Sequence, residues 1–185
     1  MSRSMIIALA LTGAVAASAA PFPTQQFTAT AQVNANCTVV ESGTLSFGNY
    51  DPLTANATAA QPGSGASLSL KCTRGSHPMV SLDNGLAANF GTGSDATRRA
   101  MVTGATGTNQ ALSYDLLQPS AVGGSATASA TKWGNGGGTG AKFDAGVTTV
   151  TPGTALTVNI FGSIPGNQDV VVGTFNDTVT ATVEF

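Results

Sequence analysis

Apolar and polar residues alternate with a period of two through most of this chain, and no window of a dozen residues carries a helical stripe. Side chains that alternate in this way can hide one set and wet the other only in a sheet, so the chain is expected to be all-β. The clearest stretch is the C-terminal one. Val179, Ala181, Val183 and Phe185 share one face there, and Thr178, Thr180, Thr182 and Glu184 the other. The same pattern recurs near the N-terminus, where Phe27, Ala29, Ala31 and Val33 alternate with Thr28, Thr30 and Gln32. Between these brackets strands are expected at Thr44–Phe47, Ala66–Cys72, Met79–Leu82, Arg99–Val102, Ala111–Leu117, Val147–Val150 and Ala155–Phe161. Short strands at close spacing predict a β-sandwich. Asn84-Gly85 suits a tight hairpin, and Pro62-Gly63, Pro152-Gly153 and Pro165-Gly166 read as turns.

The first nineteen residues have a basic start at Arg3, an apolar run from Met5 to Ala17 and the small-residue ending Ala17-Ser18-Ala19. This is the pattern of a secretory signal peptide cut after Ala19, and the run is shorter than the roughly 20 residues that span a bilayer. About 166 residues then follow, enough for one domain with a core. Charged residues make up 9% of the chain with a net charge of −2, so no basic face for nucleic acid can be built. Export places the two cysteines, Cys37 and Cys72, in an oxidising compartment, where one disulfide is expected. It would close a loop of about 36 residues, for which chain entropy gives roughly 4 kcal/mol. Zinc is the rival reading, but with a single histidine it would have to recruit carboxylates at uninformative spacings.

Candidate sites are few. His77, the sole histidine, sits in a loop between Ser76 and Pro78, where an exposed side chain explains it without catalysis. Asp51, Asp83, Asp95, Asp115, Asp144 and Asp177 lie near turns, as aspartates that bond their own backbone do. Gly134–Gly140 has glycines but not the strand and helix of a phosphate loop, and Asn36, Asn56 and Asn176 match a glycosylation pattern that is common by chance. Trp133 is expected to pack rather than to bind. No catalytic residue, metal or cofactor is expected. What stands out is the N-terminal alternating segment: Asn34-Ala35-Asn36 leads on without a glycine turn, so it has no hairpin partner nearby.

Taken in order, FTATAQVNANC (Phe27–Cys37), LSFGNYDP (Leu45–Pro52), LSLKCT (Leu68–Thr73), VSLDNG (Val80–Gly85), RRAM (Arg98–Met101), LSYDLL (Leu112–Leu117), Trp133-Gly134, FGSIPGNQ (Phe161–Gln168) and the terminal GTFNDTVTATVEF resemble the spore coat protein U domain family. That family includes subunits of archaic, Csu-type chaperone–usher pili. The resemblance implies an immunoglobulin-like sandwich lacking its last strand and completed by donor-strand complementation. It implies a signal peptide at 1–19, a donor-strand extension at 20–36 and one incomplete pilin domain at 37–185. Phe27, Ala29, Ala31 and Val33 would enter a neighbouring subunit, and Val179, Ala181, Val183 and Phe185 would line the acceptor groove. The implied partners are identical or related pilin subunits, a periplasmic chaperone and an outer-membrane usher. The implied destination is a surface pilus serving adhesion and biofilm formation. The alternatives are a secreted, spore-coat-like protein that completes its own sheet as a monomer, and a carbohydrate-binding module, for which Trp133, Tyr50 and Tyr114 make a thin aromatic platform.

Overall fold

The computed structural model describes residues 22–87, 99–104, 109–137, 140–146 and 154–185. The expected signal peptide, the strand expected over Val147–Val150 and the Pro152-Gly153 turn lie outside the described residues. The chain divides into two units, Met1–Gln32 and Val33–Phe185. In the first, residues 22–32 form no strand. The expected strand at Phe27–Val33 therefore has no ladder: alternation supplies one apolar face, but a strand also needs a partner for its backbone groups.

The second unit is all-β. Nine strands follow one another among the described residues: β1 (Cys37–Ser42), β2 (Gln61–Cys72), β3 (Met79–Leu82), β4 (Arg99–Val102), β5 (Ala111–Pro119), β6 (Ala128–Lys132), β7 (Phe143–Asp144), β8 (Leu156–Ile164) and β9 (Ala181–Glu184). One sheet runs β1-β2-β8-β5-β4, with β6 also paired to β5, and the other runs β7-β3-β9. Every strand pair is antiparallel.

The core is made of the inward sets of both sheets. Leu68 and Leu70 of β2, Leu112 and Leu116 of β5 and Val158 of β8 meet Val80 and Leu82 of β3. Trp133 is fully buried among them, tilted against Phe143 at 5.4 Å, and its indole N–H donates to the Val80 carbonyl at 2.9 Å. Packing, not binding, occupies this tryptophan.

Two turn expectations fail for definable reasons. Pro62-Gly63 lies inside β2, paired to Ser163 and Gly162 of β8. β1 does not reach this end of β2, so Pro62 has no ladder bond to forfeit on that edge. Asn84-Gly85 does not close a hairpin, because β3 and β4 belong to different sheets. Instead Asp83 accepts the Gly85 amide at 2.9 Å and turns the chain away from β3. Thr44–Phe47, expected as a strand, makes a single bridge between Ser46 and Ser64.

Candidate functional site: a groove between two sheet edges

β1 ends the large sheet and β9 ends the small one, and among the described residues neither has a partner on its outer edge. Between them lies a groove of about 700 Å³. Its floor is apolar, with Leu68, Leu82, Leu116 and Ile160 contributing from four strands. One wall is β1 and the segment after it, through Val39, Glu41, Leu45 and Phe47. The other is the stretch from Phe175 to Ala181.

The first wall is shaped by glycine. Phe47 lies over the cross-strand pair Gly63 and Gly162, and a Cβ on either glycine would come within 2.5 Å of its ring. The ring also meets Tyr114 edge-on at 5.7 Å. Gly43, with φ near 77°, kinks the chain between β1 and this aromatic end, a backbone angle that favours glycine.

The second wall is held by two aspartates acting in opposite directions. Asp83 accepts the Thr180 amide at 2.9 Å, while Asp177 accepts the Leu86 amide at 3.0 Å and the Tyr114 hydroxyl at 2.6 Å. Backbone bonds from Asp83 to Thr180 and from Leu86 to Thr178 run alongside. Arg99, only 1% exposed, lies beneath and donates to the carbonyls of Asp83, Trp133 and Leu82 at 2.7, 3.0 and 3.1 Å. Burial works against its charge, and nearby Tyr114, Asp83 and Asp177 oppose that. Burial, reinforced by the bond to Asp177, pushes the Tyr114 hydroxyl far above its ordinary range. Burial also disfavours the Asp83 carboxylate, but the amides of Thr180 and Gly85 and the Arg99 charge outweigh it and hold the group below its ordinary value.

Cys37 and Cys72 are joined, with sulfurs 2.07 Å apart, so neither is left for zinc. Val179 and Ala181 line the groove, while Val183 packs against the core and pairs with Val80. Phe185 lies past β9 and is 53% exposed, so it stands apart from the other three. Phe27 and Val33 are 92% and 82% exposed, and Ala29 and Ala31 are exposed as well. His77 stands 3.5 Å from Asp144, both largely exposed, and the neighbouring Ser76 hydroxyl faces Thr73 instead. Among the described residues no cluster of three His, Cys, Asp or Glu is placed to hold a metal ion.

Periodicity marked neither the Asp83–Asp177–Tyr114–Arg99 group nor Gln168. The Gln168 side chain accepts the Ser113 amide and donates to the Ser113 carbonyl, both at 2.8 Å, in place of a strand beside β5. Glu41 was legible by counting in twos from Cys37, because the disulfide declares which face of β1 looks inward.

A family model for the Spore Coat Protein U domain matches residues 23–182. "Protein U" of Myxococcus xanthus is 33% identical over 189 residues, covering 96% of this chain and 97% of that protein. Among solved structures, the CsuC–CsuE chaperone–tip adhesion subunit pre-assembly complex from the archaic chaperone–usher Csu pili of Acinetobacter baumannii is similar. It gives a TM-score of 0.51 at 24% identity, covering 83% of this chain and 40% of that one, and the likeness is one of fold. Aligned with Protein U along nearly its whole length and with the domain from residue 23 to residue 182, the chain belongs to the Spore Coat Protein U domain family.

Proposed function

We propose that the chain is a structural subunit of an archaic chaperone–usher pilus, each copy lending its N-terminal segment to the groove of the next. One observation carries this reading: among the described residues the same chain has a groove bounded by two unpaired sheet edges and, ahead of it, an alternating segment without a ladder of its own. From Phe27 to Val33 an extended strand covers about 20 Å. Burying Phe27 and Val33 would contribute roughly 1.5–3 kcal/mol each, with smaller terms from Ala29 and Ala31 and a ladder of backbone bonds besides. Val179 and Ala181 would meet the incoming strand as the acceptor side.

In this scheme residues 1–19 direct export, 20–36 form the lending extension and 37–185 the receiving domain. A periplasmic chaperone fills the groove first, and exchange at an outer-membrane usher adds the subunit to a surface fibre for adhesion and biofilm formation. The similar fold of a subunit from Csu pili supports the assignment. A second reading is a secreted coat-like monomer that completes its own sheet, favoured by the end-to-end match to Protein U.

One experiment separates the two. Mature protein freed from chaperone is run on unheated gels beside a form lacking residues 20–33. Strand lending predicts a polymer ladder for the intact chain, and for the truncated form a chaperone-bound folded subunit that never extends. A full-length protein that stays monomeric overturns the fibre reading.

A further inference from the structure

Glu41 occupies a position where a strand of this kind normally carries an apolar residue. In the β1–β2 register Cys37 faces Cys72, Val39 faces Leu70 and Glu41 faces Leu68, so the carboxylate stands on the core-facing side beside a buried leucine. It is exposed where it lines the groove, and it has no hydrogen-bond or ion-pair partner among the described residues. No cation faces it. Lys71 lies opposite Thr38 on the other face of the pair, and the Arg99 nitrogens are committed to three carbonyls. The other titratable groups lining the groove, Tyr114 and Asp177, are bonded to each other. The chain's own segment brings no help, since residues 22–34 contain no charged side chain.

We infer that Glu41 makes filling of the groove proton-linked, so that entry of this charge-free segment from a second copy is favoured at acidic pH. The inference rests on the strand-lending reading. A strand closing over the carboxylate removes its water without supplying a partner, which disfavours the charged form. A group that is harder to ionise in the filled state takes up a proton as the strand enters. Affinity is then full where the carboxylate is protonated and declines as rising pH ionises it in the open groove.

The test is fluorescence anisotropy of a labelled, end-capped peptide of residues 22–34 with the purified chain from pH 4.5 to 8. Wild type should lose affinity with rising pH, by at most about tenfold per unit for one linked proton. Glu41→Gln should bind more tightly than wild type at pH 7.5 and flatten the profile, and Glu41→Leu should do the same. Matching pH profiles in wild type and both variants overturn the inference and leave strand lending intact. Absence of capture by all three proteins at every pH overturns strand lending and this inference with it.

Discussion

Asp83 and Asp177 cross-link the same two stretches of chain from opposite sides, Asp83 accepting the Thr180 amide and Asp177 the Leu86 amide. Because Asp83 is held below its ordinary value in the folded state, its contribution is present above the unfolded carboxylate range and is lost as pH falls through the folded value. Asp83→Asn should therefore flatten the part of the acid destabilisation that wild type shows below about pH 4. Urea unfolding midpoints at pH 7 and pH 3 for the two proteins test this. The disulfide acts by another route, restricting the unfolded chain over a sequence separation of 35. Replacing both cysteines by alanine should cost about 4 kcal/mol, read from urea unfolding, with the reduced wild type behaving like the variant.

Strands whose inward faces carry large apolar side chains were legible from sequence. Met79–Leu82 and Arg99–Val102 match β3 and β4 residue for residue, β5 and β8 differ from expectation only at their ends, and β2 starts earlier, at Gln61, taking in the expected turn at Pro62-Gly63. β6 was missed, because Ala128–Lys132 has only small and polar side chains and exists through its pairing with β5. The groove was implied by the family resemblance, and the terminal alternation pointed to assembly, but the groove's construction was not legible. Periodicity cannot show that Gly63 and Gly162 meet across two strands to seat Phe47, since that contact joins residues 99 positions apart. Gly162→Ala should displace the ring and destabilise the subunit by about 1–3 kcal/mol, measurable by thermal or urea unfolding. If the N-terminal segment is lent as proposed, Phe27→Asp in a peptide of residues 22–34 should abolish the rise in melting temperature expected of the unmodified peptide. Thr28→Asp, on the opposite face, should leave most of that rise in place.

At the scale of the molecule, β1 and β9 are the two sheet edges that flank the groove, and among the described residues neither has a strand on its outer side. Hydrogen exchange should therefore respond unevenly to assembly. Amides of β1 and of residues 178–184 should gain protection in the fibre, while those of β2, β5 and β8 should change little. Uniform protection across both sheets, or none, would count against an incoming strand lying in the groove. In the proposed fibre, the place where the N-terminal segment joins the domain has a mechanical meaning too. Just before β1, the Asn36 amide donates to the Thr73 hydroxyl and the Thr73 amide to the Asn36 carbonyl, and the next residue is bonded covalently to Cys72. In a fibre under tension, force arriving along the segment would pass at Cys37 into β2, inside the larger sheet. β1 would be bypassed: its hydrogen bonds would carry almost no load, and the tether could not peel it away one residue at a time.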